Sequence, residues 1–113
     1  MASDYACINE LTPVGSLEDA PGDLRDTLDL LTEECAEIIQ AASKANRFGL
    51  TDAYSGETNR QKLETEIGDL LCLVSILVDN RVLDPKEIER AMVNKHVKLL
   101  KWAPTVAKYW KGL

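Results

Sequence analysis

The sequence predicts an all-α chain, an antiparallel helical bundle completed by oligomerisation. Three observations carry that reading. Apolar residues recur at helical spacing over three long segments, helix start and stop signals bound those segments, and no stretch shows the strict alternation of a half-buried strand. A chain of 113 residues has room for one modest core and not for two.

Residues 1–22 read as an arm, broken by Pro13, Gly15, Pro21 and Gly22. It has room for a short helix over Tyr5–Leu11 and is expected to pack on the body or on a neighbouring subunit. Asp23 is placed to cap the first long helix, which should run to about Ala45 before Asn46 and Gly49 end it. Its apolar face collects Leu24, Leu28, Leu31, Cys35, Ile38, Ile39 and Ala42. A loop from Asn46 to Glu57 follows. Thr58 and Gln61 form a capping-box signature for the second helix, which continues through Leu63, Ile67, Leu70, Leu71, Val74, Leu77 and Val78. That helix is apolar over more than half its circumference, which points to burial against another chain. Asp84-Pro85-Lys86-Glu87 opens the third helix, with Asp84 as cap, Pro85 in the first turn and Glu87 reaching back. Pro104 stops it near Trp102. The domain organisation is therefore an arm (1–22), a helical domain (23–103) and a tail (104–113).

Composition narrows the function. A formal charge of -6 argues against an extended surface for nucleic-acid polymers, which need many phosphate-neutralising cations. No apolar run approaches the roughly 18 residues that cross a bilayer, and no secretory signal is apparent. Three cysteines, Cys7, Cys35 and Cys72, without paired spacing, speak against a disulfide framework or a zinc site and fit a reducing cytoplasm. Cys35 and Cys72 are expected to be small packing residues.

Four acids stand out against this background. Glu34 and Glu37 in the first helix, and Glu66 and Asp69 in the second, are each spaced i, i+3 and so project in a common direction. Glu34 falls inside an apolar arc, and Glu66 projects among Leu63, Leu70, Leu73 and Leu77, whereas Glu33 points away. Carboxylates crowded into an apolar seam lose hydration and repel one another, a cost that a divalent cation offsets. An all-carboxylate cage suits Mg²⁺, with Mn²⁺ as a substitute. A di-iron centre would need Glu-x-x-His pairs from two helices, and the only histidine, His96, lies elsewhere with no acid three residues before it.

Such a cage suits phosphate chemistry, and basic groups are at hand. Lys95 projects into the apolar face of the third helix beside Ile88, Ala91, Met92 and Leu99, with Asn94 and Lys98 on its flank. Its ammonium can meet a phosphate, or its stem can carry it past the leucines to water. Lys44 lies two turns beyond Glu37, with Arg47 just past it. Both can contact phosphate, and both also complement a helix C-terminus. Trp102 can stack on a base or pack in an interface, as can Phe48, Tyr54, Tyr109 and Trp110.

Glu33-Glu34-Cys35-Ala36-Glu37 followed by Glu66-Ile67-Gly68-Asp69 resembles the EExxE…ExxD signature of the MazG-like all-α nucleoside triphosphate pyrophosphohydrolases. The resemblance extends over residues 24–103 and is closest to small single-domain, phage-type members. It implies Mg²⁺ ligation by Glu34, Glu37, Glu66 and Asp69, with Glu33 outside the ligand shell or orienting water. It also implies hydrolysis of a (deoxy)nucleoside triphosphate between the α and β phosphates, in a homodimer or homotetramer in the cytoplasm, the host's cytoplasm if a phage encodes it. Lys95, Lys98, Lys44, Arg47, Asn94 and Trp102 are the candidate substrate contacts. Two other readings stay open: a phosphoribosyl-ATP pyrophosphohydrolase, and a non-catalytic helical module that binds a cation for stability alone.

Overall fold

The computed structural model describes residues 13–16 and 24–113. The short helix expected over Tyr5–Leu11, the Asp23 cap and Cys7 lie outside the described residues. The described elements are α1 (Arg25–Phe48), a two-stranded ribbon of β1 (Ala53–Tyr54) and β2 (Glu57–Thr58), α2 (Asn59–Asp79), α3 (Pro85–Trp102) and a final turn, α4 (Pro104–Ala107).

The helix boundaries follow local chemistry. Thr58 accepts from the Gln61 amide at 3.1 Å, while the Gln61 side chain accepts from the Thr58 amide at 2.9 Å. The box thus satisfies two amides that have no partner inside the helix. Asp84 caps α3 by accepting from the Lys86 amide at 2.9 Å, with Pro85 in the first turn. Glu87 does not reach back to this cap. It pairs instead with Arg90 one turn on, where a full guanidinium charge outcompetes a single amide. The first helix continues past Ala45 to Phe48, because Asn46 is tolerated in the last turn and the chain leaves the helix only at Gly49, whose φ of 92° is open to glycine. The loop that follows carries a small antiparallel ribbon not foreseen as strand. Ala53 pairs with Thr58 and Tyr54 with Glu57, about a turn in which Ser55 and Gly56 both take positive φ. Two-residue strands are too short to leave an alternating pattern.

The α1 and α2 helices pack as an antiparallel hairpin, and this is the body of the fold. The ends are tied: Asn59 donates from Nδ2 to the Gly49 carbonyl at 2.9 Å, and the Arg60 amide donates to Leu50 at 3.0 Å. Along α1 the shielded positions are Leu24, Thr27, Leu31, Glu34, Ile38, Ala41 and Ala45; along α2 a series of Leu63, Glu66, Leu70, Leu73 and Leu77 is shielded, with Asn59, Val74 and Val78 shielded beside it. Both series step by three and four, the spacing of a coiled-coil seam. This seam is rotated from the apolar arc expected for α1. Leu28, Ile39 and Cys35 are exposed, as are Ile67, Leu71 and Cys72 on α2, so the two cysteines do not pack within the chain. The buried residues of α1 are the small Thr27 and Ala41, and a second apolar stripe remains open beside the seam. Gly68 lies in the middle of α2 and, its own helix aside, no atom of the described residues lies within 4 Å of where a Cβ would stand.

The α3 helix packs chiefly against α4 and makes only marginal contact with the hairpin. The tail is not loose: Ala107 is buried, and His96 donates from Nε2 to its carbonyl at 3.0 Å. The His96 ring also lies 4.7 Å from that of Trp110. Between α3 and α4 runs a cavity of about 600 Å³ lined by Ile88, Met92, Leu99 and Trp110 among others. Within the arm, the Val14 amide donates to the Arg81 carbonyl at 2.9 Å, joining that segment to the α2–α3 turn. The radius of gyration is 17.1 Å, against about 13 Å for a compact chain of this length.

Candidate active site

The seam brings acids together. Glu34 occupies a half-buried seam position on α1 and Glu66 a fully buried one on α2, with 2 % of its surface exposed. Glu37, three residues after Glu34, leans in from the edge. One carboxylate oxygen from each of Glu34, Glu37 and Glu66 lies within 4.8 Å of the others. With all three ionised, Oε2 of Glu34 and Oε2 of Glu66 are buried with no hydrogen-bond donor. Buried polar atoms rarely go unpartnered, and here the orphans are anionic oxygens on one small volume.

Electrostatics record the crowding. Burial, a proton shared with Glu66 and the fields of Glu37 and Asp69 push the Glu34 carboxyl up to about 7. Glu37 is raised as well, first by its proton-sharing contact with Glu66. Glu66 alone is held below the usual carboxylate range, because Lys62 lies one turn before it and its Nζ sits 2.6 Å from Glu66 Oε1. The same bond raises the Lys62 ammonium. The cluster therefore keeps Glu66 ionised with one internal cation and answers the remaining repulsion with protons. Its donor set is oxygen only, which fits a hard divalent cation. Both orphaned oxygens are the atoms such an ion would satisfy.

The other predicted residues are placed around this core. Asp69 is exposed one turn beyond Glu66, outside the three-carboxylate group, yet its field reaches Glu34 and Glu37. Glu33 is exposed on the outer side of α1. Lys44 is brought to the site: with Glu37, Gln40, Ala41 and Lys62 it lines a cavity of about 160 Å³. Arg47 lies further along, its guanidinium 5.1 Å from the Phe48 ring. Asn94, Lys95, Lys98 and Trp102 all sit on α3, and within one chain they are not gathered at the acids. Lys95 lines the α3–α4 cavity. Trp102 is 77 % exposed, with the Lys101 ammonium 5.0 Å from its ring. Sequence reasoning missed Lys62. Its signal was the i, i+4 spacing to Glu66, which puts an ammonium on a carboxylate facing the seam.

Paired acids on two antiparallel helices, an oxygen cage and lysines beside it are the features of the motif, and comparison decides the family. The profile of the MazG nucleotide pyrophosphohydrolase domain matches residues 23–101. The chain belongs to the MazG family. A search of curated proteins and of solved structures finds no significant match. The MazG match spans both acid-bearing helices and nearly all of α3, and stops short of α4. Membership assigns nucleotide pyrophosphohydrolase activity in general terms, and the all-helical hairpin described above is consistent with the MazG fold.

Proposed function

We propose that the protein hydrolyses nucleoside triphosphates, deoxynucleotides among them, between the α and β phosphates, using Mg²⁺ or in its place Mn²⁺. The observation that carries this reading is the pair of buried, donorless carboxylate oxygens on Glu34 and Glu66, with Lys44 and Lys62 in the adjoining cavity. Glu34, Glu37, Glu66 and Asp69 would hold the cation. A divalent cation bound there supplies Lewis acidity toward the phosphoryl oxygens.

The chain's own residues do the rest. Lys44 and Lys62 set positive charge beside the acids, where it attracts the polyphosphate and stabilises the departing pyrophosphate. The oxygen of water bonds to the α-phosphorus, and the bond from that phosphorus to the bridging oxygen breaks. Its electron pair leaves with pyrophosphate. The proton lost by water passes to a carboxylate, with Glu33 or one of the cluster acids as the acceptor. No nucleophilic side chain is needed. Arg47 lies at the approach on the same chain. Asn94, Lys95, Lys98 and Trp102 serve a site formed with a neighbouring copy, since α3 stands away from the acids of its own chain.

The test is product identity. Incubated with Mg²⁺ and a panel of ribo- and deoxynucleoside triphosphates, the protein should release monophosphate and pyrophosphate; diphosphate with orthophosphate would refute the cleavage point. Glu66→Gln and Asp69→Asn should abolish turnover with helicity intact, and retained turnover in both would remove them from the site.

A further inference from the structure

The end of α1, the β1–β2 ribbon and the start of α2 enclose a second cavity, of about 220 Å³, lined by Lys44, Phe48, Asp52, Tyr54 and Asn59. Lys44 is a wall of this cavity and also of the one beside Glu37, so the two adjoin through its side chain. Phe48 lies about 16 Å along α1 from Glu37 at 1.5 Å per residue, with Lys44 between them and lining both cavities. Phe48 is 58 % exposed and Tyr54 84 % exposed. Two exposed aromatic rings thus stand on the rim of one cavity, that of Phe48 with the Arg47 guanidinium 5.1 Å from its centre, and exposed rings of this kind can stack a base.

The frame around them is fixed. The Asn59 amide donates to the Asp52 carbonyl at 2.9 Å, and the Asn59 side chain is committed to the Gly49 carbonyl at 2.9 Å. The first bond joins the end of the ribbon to α2 and the second joins the end of α1 to α2; neither uses the carboxylate of Asp52, which is a lining residue of the cavity. A carboxylate accepts from exocyclic amino groups, as acidic side chains do from the amino group of cytosine. It repels the carbonyl that uracil presents at the corresponding position.

We propose that this cavity takes the nucleobase, stacked on Phe48 and Tyr54, and that Asp52 selects bases carrying an exocyclic amino group. The assignment rests on the triphosphate reading above and adds to it which substrates are preferred. Matched nucleotides test it, because each pair differs at the amino group. Wild-type kcat/KM should favour dCTP over dUTP and dGTP over dITP by about tenfold or more. Asp52→Ala and the near-isosteric Asp52→Asn should bring both ratios toward one, and Tyr54→Ala should raise KM for all four. Asp52 is exposed and holds the ribbon through its backbone, so neither variant disturbs the fold. Ratios near one in the wild type, or ratios that survive Asp52→Ala, overturn the proposal.

Calorimetric titration with dCMP and dUMP reads the same cavity without turnover. Selective binding of dCMP that depends on Asp52, in a protein that cleaves no triphosphate, would keep the base site and sink the hydrolysis reading. Equal or absent binding of the two, together with no turnover, would sink both.

Discussion

Glu34 and Glu66 occupy positions that a helical seam normally gives to leucine, and the cost of that choice sets the pH response. Glu34 binds its proton up to about pH 7 in the folded chain, against an ordinary value of 4.5, and Glu37 is shifted the same way. Between those values the folded state holds more protons than the unfolded one, so stability falls as pH rises through that window. Glu66, shifted down, loses its contribution only as pH drops below the ordinary carboxylate range. The metal-free protein should therefore melt at a higher temperature near pH 5 than near pH 8. Mg²⁺ should reverse the trend, because the ion competes with the protons and binds better as they leave. Melting curves across that range, with chelator and with Mg²⁺, measure both slopes. Lys62 adds a second expectation. It is the resident cation of the cluster, so Lys62→Met should lower the melting temperature in chelator and tighten Mg²⁺ binding by calorimetry. A Lys44→Met control should affect both less. Equal Mg²⁺ affinity in the wild type and Lys62→Met would show that the 2.6 Å bridge does not compete with the ion.

At the scale of elements, the hairpin depends on its apolar seam away from the acids. Leu77 is fully buried and its carbonyl accepts from the amides of both Val82 and Leu83, so side chain and backbone together anchor the α2–α3 turn. Leu77→Ala should cost about 2–5 kcal/mol in denaturant unfolding. Thr58→Ala, which removes only a cap, should cost about 1 kcal/mol. These features differ in how legible they were. The caps at Thr58 and Asp84 were readable because they depend on neighbours three residues away or fewer. The acids at Glu34, Glu37 and Glu66 were readable because helical spacing fixes direction. The register of α1 was not: Leu28 and Ile39 outrank Thr27 and Ala41 in hydrophobicity, yet the small pair is buried and the large pair exposed, and two overlapping apolar stripes cannot be ranked from one sequence. The ribbon holding Asp52 and Tyr54 was also hidden, since positive φ at Ser55 leaves no residue-type signal.

For the whole molecule, the open stripe on the hairpin, the half-covered α3 and the large radius of gyration are what a chain that pairs with a second copy would show. Exposed Leu28, Ile39 and Leu71 on the hairpin and Val97 and Leu100 on α3 offer apolar surface of the kind that assembly buries. Sedimentation should give a dimer or a tetramer. Co-expressed Glu66→Gln and Lys95→Ala chains should regain part of the activity that each lacks alone, because a mixed assembly rebuilds one intact site from two damaged chains. A monomer in sedimentation, or no regain, would return every site residue to a single chain.

Gly68 offers a way to separate these contributions. With no described atom beyond its own helix within 4 Å of a would-be Cβ, it gives up about 1 kcal/mol of helix propensity relative to alanine. Gly68→Ala should make the isolated fold sturdier, since one added methyl meets no described atom beyond its own helix. Any deficit in catalysis or association that accompanies this gain then reports on a visitor pressing against that spot from outside, whether nucleotide or sister subunit. A single methyl group thus serves as a feeler gauge for the clearance over the middle of the acid-bearing rod.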